Sequence, residues 1–198
     1  MSQVETSAGE AELKAMDRFV IDGRSSRFTV RTFASGVLAA MGHNPTIGIR
    51  AFSGEMKFDP EQLKAGDFRL AVKSRSLTVE DDISGKDRRE IERLMHLDVL
   101  ETEKFPEILY EAVGITVTKV GDTLFSASLN GNLTLHGGTR AEQIAARVAL
   151  MGSMLRASGE FSISQSKYDI KPVSVAGGVL KLKDELRFQF EIIARRQE

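Results

Sequence analysis

The stretch FSASLNGNLTLH, residues 125–136, decides the fold because its apolar and polar residues alternate without a break. One phase holds the apolar or small residues, which are Phe125, Ala127, Leu129, Gly131, Leu133 and Leu135. A β-strand places successive side chains on opposite faces, so this pattern predicts a strand with one dry and one wet face. The strand would span about 40 Å, roughly twice the average length. Long antiparallel strands of this kind usually close into a barrel or pack as a deep sandwich.

The rest of the chain supplies further segments that read as strands. They are residues 18–22, 27–33, 46–50, 53–58, 67–72, 108–120, 155–163 and 186–192. Within residues 108–120 the apolar phase changes at Gly114, which predicts a β-bulge at that point. Residues 140–151 are ambiguous, because their composition favours a helix whereas the neighbouring segments favour another strand.

Helical segments are few. Residues 87–97 form the best predicted helix, with Ile91, Leu94 and Met95 on one apolar stripe. Shorter helices are expected at residues 35–42 and after Asp59, where Pro60 suits the first helical position. About eight or nine strands with one substantial helix predict an all-β fold, built as an antiparallel barrel of about eight strands.

Two glycines bear on whether the barrel is hollow. Gly131 and Gly159 both fall on the apolar phase of their strands. They either leave space at the centre of the barrel or simply mark bends in the strands, and the pattern does not decide between the two.

The bulk composition limits the class of protein. The chain has 198 residues, of which 41% are hydrophobic and 28% charged, so we expect a globular protein. A single domain is predicted over residues 17–198, after a flexible tail formed by residues 1–16. The chain has no cysteine, which excludes disulfides and thiolate metal sites. A net charge of −1 without a basic stripe argues against nucleic acid as a partner.

The location of the protein is predicted from what its segments lack. No run of about 18 apolar residues is present, so no segment is expected to span a membrane. Residues 1–16 lack the basic cluster and apolar core of a secretory signal. We therefore expect a cytoplasmic protein, or a periplasmic one if a signal peptide has been removed.

The candidates for chemistry are the three histidines, His43, His96 and His136. They lack the spacing of a zinc-binding pair on a helix, and we expect no metal site. His136 falls on the polar phase of its strand, which weakens a catalytic role inside the barrel. An apolar interior without a catalytic motif is the usual setting for an apolar ligand.

Three motifs resemble those of a known family, the YceI-like lipid- or polyisoprenoid-binding proteins. FSGEMKFDP at residues 52–60 is similar to the family's F-x-G-x-[apolar]-x-F-D-P. FPEILY at residues 105–110 is similar to its [YF]-P-x-I-x-F, and NLTLHGGTR at residues 132–140 to its D-L-T-[apolar]-H-G-V-T-R. The three occur in the family's order, and the resemblance runs from about residue 18 to residue 194.

The resemblance implies a lipocalin-like extended barrel of eight antiparallel strands plus a helix. It also implies a homodimer, and a lumen that holds a long isoprenoid, an isoprenoid quinone or a similar amphiphile without performing chemistry. No other cofactor is expected.

The residues that would contact such a ligand follow from the apolar phases of the strands. The expected lumen residues are Phe28, Val30, Tyr110, Phe125, Leu129, Leu133, Phe161, Phe188 and Phe190. His43, Asn44 and Arg50 are candidates for a polar head group near the rim.

Two alternatives stay open at this point. One is an enzyme acting on a small hydrophobic substrate in the same lumen, with His43 or His136 as acid or base; it would need a polar cluster facing inward. The other is an interaction module whose interior is filled by packed side chains.

Overall fold

The computed structural model describes residues 16–35, 44–172, 174–175 and 180–197. Its main feature is a closed antiparallel barrel of eight strands. The strands, in chain order, are β1 (Asp17–Ile21), β2 (Arg27–Arg31), β3 (Ala34–Ser35), β4 (Thr46–Ile49), β5 (Phe52–Asp59), β6 (Lys64–Lys73), β7 (Leu77–Val79), β8 (Glu107–Lys119), β9 (Leu124–Leu135), β10 (Gly138–Met151), β11 (Met154–Ser164), β12 (Ser174–Val175), β13 (Leu180–Leu182) and β14 (Glu185–Gln197). The helical elements are α1 (Gly85–Leu94), a π-helical turn (Met95–Val99) and two 3-10 turns (Ser74–Ser76 and Gln165–Tyr168).

The barrel follows the strand order β1-β5-β6-β8-β9-β10-β11-β14, and β14 returns to β1. Strand β14 closes it because its two halves pair with different strands. Phe188 lies opposite Val30 of β2, whereas Ala194 lies opposite Ile21 of β1. Strands β1 and β2 therefore lie one after the other along the same side of β14, each paired with a different half of it. Beyond β2 the sheet continues through β4 to β7, and β12, β13 and β3 form a small separate sheet.

The alternating stretch of residues 125–136 forms strand β9 almost as predicted. Phe125, Leu133 and Leu135 are buried, and Ser126 and Asn132 between them are exposed. This confirms that one face of the strand is dry. The strand pairs with β8 on one side and with β10 on the other, so it lies in the middle of the longest part of the sheet.

The predicted β-bulge is present in β8. The register against β9 shifts between Ala112 and Gly114, and the side chain of Val113 between them is 73% exposed. Because of the extra residue, Tyr110 before the bulge and Ile115 after it both face the interior. The bulge therefore keeps the apolar side chains of a long strand on one face.

The ambiguous segment is a strand, β10, and not a helix. It pairs with β9 along almost its whole length and then with β11. Ile144, Ala146 and Val148 are buried on alternate positions. The alanines that favour a helix by composition fit a strand equally well once long neighbours offer backbone partners on both sides.

Helix α1 covers the end of the barrel where β2, β4 and β7 lie. Ser84 caps it by accepting a hydrogen bond from the backbone nitrogen of Asp87 at 3.1 Å. The side chain of Glu92 accepts a hydrogen bond from the backbone nitrogen of Val79 at 2.9 Å, which fixes the helix against β7. The predicted helix of residues 87–97 is thus confirmed, with its last turn widened into a π-helical turn.

Two smaller predictions have different outcomes. The helix expected after Asp59 is wrong, because residues 60–63 form a turn in which the Asp59 carboxylate accepts from the backbone nitrogens of Glu61 and Gln62. The helix expected at residues 35–42 lies outside the described residues except for Ser35, which ends β3. The predicted tail also lies outside them, apart from residue 16.

Candidate functional site

A cavity of about 360 Å³ lies inside the barrel. Its lining comes from every strand of the barrel and from α1, and nearly all of it is apolar. The volume falls within the range of small-molecule sites, which runs from about 300 to 1,000 Å³. The alternative of a fully packed interior is therefore wrong.

One end of the cavity is sealed by packed side chains. Phe19, Phe58 and Leu155 are almost completely buried there, and the ring of Phe58 packs edge-on against that of Phe125 with 5.5 Å between the ring centroids. Close packing of this kind leaves no path for a chain molecule. Any ligand must therefore enter elsewhere.

The opposite end is covered by helix α1. Ile91, Leu94 and Met95, the predicted apolar stripe, all line the cavity from above. Ile91 and Met95 pack against a cluster that includes Phe28 and Val79. The helix rests on this end through side-chain packing and is not part of the hydrogen-bonded barrel wall.

All the side chains predicted to face the lumen do line the cavity: Phe28, Val30, Tyr110, Phe125, Leu129, Leu133, Phe161, Phe188 and Phe190. Phe161 and Phe188 stack in parallel with 4.8 Å between their centroids, and Phe28 packs edge-on against Phe188. Their contact with a ligand stays a prediction, but their position inside the barrel is established.

The two strand glycines make room for aromatic rings. A Cβ atom at Gly131 would lie 2.5 Å from Cζ of Tyr110, and one at Gly159 would lie 2.7 Å from Cζ of Phe190. Both distances are too short for a real contact. The interpretation that these glycines leave the centre empty is therefore wrong, since the rings of Tyr110 and Phe190 occupy that space.

The two tyrosines are buried and hydrogen-bonded. The hydroxyl of Tyr110 lies 3.0 Å from the carbonyl oxygen of Leu129 and 3.2 Å from that of Glu142, and that of Tyr168 donates to the Glu142 carboxylate at 3.1 Å. Burial raises the pKa of Tyr110 to about 12, and the charge of Glu142 adds to the rise. Burial, then Glu142, also raises the pKa of Tyr168. Both phenols are therefore neutral in the folded protein near neutral pH.

Two of the three residues proposed for a polar head group, Asn44 and Arg50, do not line the cavity. Asn44 is exposed, and its side-chain oxygen accepts from the backbone nitrogen of Ala34 at 2.9 Å. The side chain of Arg50 is 60% exposed and lies 3.1 Å from the Glu80 carboxylate. Its outward direction follows from strand parity, since Ile49 beside it faces inward. His43 lies outside the described residues.

The other two histidines also lie away from the cavity lining. Both ring nitrogens of His136 are engaged, with Nε2 2.7 Å from the Glu101 carboxylate and Nδ1 3.2 Å from the carbonyl oxygen of Tyr168. Nδ1 of His96 is buried and has no hydrogen-bond partner among the residues that the structure describes. No cluster of three side chains able to hold a metal ion occurs within the described ranges.

Besides the exposed Glu55, sequence reasoning missed two polar residues that line the cavity, Thr32 and Gln165. Both are buried. Each follows the end of a strand and carries no recognisable motif, so no signal in the sequence would have singled them out.

A closed eight-stranded antiparallel barrel around an apolar cavity defines a lipocalin-like protein. The model of the YceI-like domain matches residues 19–194, and the chain belongs to that family. This confirms the resemblance carried by the three sequence motifs.

Solved structures share the fold. BcnA of Burkholderia cenocepacia is 17% identical with a TM-score of 0.65, over 87% of this chain and 98% of BcnA. A polyisoprenoid-binding domain of Saccharophagus degradans, implicated in plant cell wall breakdown, is 13% identical with a TM-score of 0.66, over 90% and 98%. The YceI protein of Campylobacter jejuni is 15% identical with a TM-score of 0.61, over 79% and 88%.

No curated protein matches the sequence. In the part of the chain that the structure describes, no helix is long and apolar enough to cross a membrane.

Proposed function

We propose that this protein binds a long apolar amphiphile, such as a polyisoprenoid, an isoprenoid quinone or a similar lipid, inside the barrel and without chemical conversion. The observation that carries the proposal is the apolar cavity of about 360 Å³ inside the closed barrel. The polyisoprenoid-binding domain of Saccharophagus degradans has the same fold, which supports this ligand class.

The energetics favour a chain-like ligand. Each methylene transferred from water to an apolar site contributes about 0.8 kcal/mol. The aromatic lining, with the stacked pair Phe161 and Phe188, offers flat surfaces to an unsaturated chain. Affinity would therefore come mainly from the tail of the ligand.

Among the described residues, no histidine lines the cavity to act as a base for catalysis. His136 is held by Glu101 and Tyr168 outside the lining, and the described polar side chains that line the cavity are Thr32, Glu55, Tyr110 and Gln165. Glu55 pairs with the exposed Arg18. We therefore propose a binding protein, and a homodimer that light scattering after size-exclusion chromatography would test.

A matched pair of variants tests the binding site. Ala146 is buried and lines the cavity, whereas its neighbour Ala145 is exposed. Native mass spectrometry and titration with geranylgeraniol would compare the wild type with Ala146→Phe and Ala145→Phe. We expect Ala146→Phe to lose the bound mass and most of the affinity while Ala145→Phe retains both. A wild type that binds no lipid, or equal binding by both variants, would contradict the proposal.

A further inference from the structure

Thr32 and Gln165 form a polar spot in the cavity lining at the end opposite the seal. Strand β11 runs from Leu155 in the sealed end to Ser164, and Gln165 follows it directly. Thr32 follows β2. The backbone of Lys183 is hydrogen-bonded both to Phe33, the residue after Thr32, and to Gln165. The backbone nitrogen of Lys183 donates to the carbonyl oxygen of Phe33 at 2.7 Å, and its carbonyl oxygen accepts from Nε2 of Gln165 at 3.0 Å.

The hydrogen bonds of this spot leave acceptors unused. The carbonyl oxygen of Lys183 can only accept, so the amide nitrogen of Gln165 must face it. The side-chain oxygen Oε1 of Gln165 then has no partner among the described residues, although the residue is only 3% exposed. Thr32 likewise uses its hydroxyl hydrogen on the carbonyl oxygen of Pro45, at 3.3 Å, and retains lone pairs.

Acceptors in the lining of an apolar cavity are best satisfied by a donor on the ligand, because a polar group left unpaired when the ligand displaces water is unfavourable. We infer that the ligand's polar end is an uncharged hydroxyl group that donates a hydrogen bond to Oε1 of Gln165 beside Thr32. The ligand class would then be a long-chain alcohol or phenol, held with its tail towards Phe19, Phe58 and Leu155. This inference rests on the proposed function and adds the chemistry of the head group.

The charges around the cavity argue in the same direction. Among the described residues no lysine, arginine or histidine lines the cavity, and the one carboxylate residue that does, Glu55, pairs with Arg18 outside. A diphosphate drawn into this site would lose its hydration without gaining a cation. An ether or quinone oxygen would meet only the acceptor oxygens of Gln165 and Thr32.

Three ligands with the same tail test the inference. Geranylgeraniol, its methyl ether and geranylgeranyl diphosphate would be titrated into the delipidated full chain. We expect the alcohol to bind about tenfold more tightly than either of the others, the ratio that one neutral hydrogen bond supplies. Equal binding of all three would place the head group in solvent and overturn the inference while leaving the proposed function intact. Binding of none would remove both.

Two variants locate the head group. In Gln165→Leu the preference for the alcohol over its ether should fall to about one, with the affinity for the ether unchanged. Thr32→Val should reduce the preference less, since threonine is the second acceptor. The ratio of two affinities in one variant does not depend on its stability, and a thermal melt would check that each variant folds. A tenfold preference that persists in Gln165→Leu would overturn the assignment.

Discussion

His136 joins three segments of the fold through the two nitrogens of one ring, with Nε2 2.7 Å from Oε2 of Glu101. Nδ1 lies 3.2 Å from the carbonyl oxygen of Tyr168, in the 3-10 turn after β11. Glu101 follows the π-helical turn, so the imidazole ties the segment that contains α1 to the hairpin between β9 and β10. The ring also packs on Phe105 with 4.5 Å between the centroids.

Replacement of Glu101 by glutamine should therefore destabilise the fold. Hydrogen bonds to charged groups contribute about 1.5–3 kcal/mol when buried. Because the Glu101 side chain is 41% exposed, we expect a smaller loss, about 1 kcal/mol in the free energy of unfolding. Urea denaturation would measure it.

A matched control is Glu103→Gln. Glu103 is 78% exposed and pairs with the exposed Arg75, so its loss should change stability by less than about 0.5 kcal/mol. Equal effects of the two substitutions would show that the bond between His136 and Glu101 contributes nothing specific.

A methyl group at Gly131 should disturb the barrel wall. The new Cβ would lie 2.5 Å from Cζ of Tyr110 and 2.6 Å from the backbone oxygen of Glu111, which cannot move aside easily. Overpacking of this kind costs about 1–3 kcal/mol. Thermal unfolding of Gly131→Ala should show this loss.

Gly114→Ala is the control for that experiment. A Cβ at Gly114 in the bulge would have no neighbour within 4 Å. The free energy of unfolding of Gly114→Ala should stay within about 0.5 kcal/mol of that of the wild type. A loss as large as that of Gly131→Ala would mean that backbone conformation and not the ring of Tyr110 explains the effect.

Much of the barrel could be predicted from the sequence because strand parity is a local property. The alternation in β9, the phase change at Gly114 and the inward side of Phe188 and Phe190 all follow from neighbouring residues. The same reasoning places Arg50 on the outer face, because Ile49 beside it faces inward. The prediction that Arg50 contacts the head group did not take strand parity into account.

The remaining features depend on contacts between distant segments. Whether residues 138–151 form a strand is decided by β9 and β11, which offer backbone partners on both sides. The role of Gly131 depends on Tyr110 in the adjacent strand. Gln165 matters only because Lys183 takes its amide nitrogen and leaves its oxygen unused. No local pattern contains that information.

Alkaline pH should destabilise the protein through its buried tyrosines. A tyrosine in the unfolded chain ionises near pH 10, whereas the pKa of Tyr110 in the fold is raised to about 12. Between these values the folded protein keeps a proton that the unfolded chain has released, so stability falls as pH rises. The slope approaches about 1.4 kcal/mol per pH unit for each tyrosine with a raised pKa.

Tyr110→Phe isolates this effect, since the chain has only two tyrosines, Tyr110 and Tyr168. Urea denaturation at pH 8 to 11 should show that the free energy of unfolding falls less steeply with pH in the variant than in the wild type. The difference between the two slopes should approach the contribution of one tyrosine, about 1.4 kcal/mol per pH unit. At neutral pH the variant should lose about 1 kcal/mol for the missing hydrogen bond. Parallel pH curves for variant and wild type would contradict the burial of the Tyr110 phenol.

The fixed volume of the cavity should limit the length of tail that contributes to affinity. A cavity of about 360 Å³ can enclose only part of a long prenyl chain. A prenyl chain should therefore gain affinity with each added unit only until the space between Phe125 at the sealed end and α1 is full. Isothermal titration with geraniol, farnesol and geranylgeraniol would measure this, and we expect a larger gain from geraniol to farnesol than from farnesol to geranylgeraniol. An equal gain at both steps would mean that the lining side chains move apart around the ligand, since a rigid cavity cannot shelter the additional methylenes that contribute about 0.8 kcal/mol each.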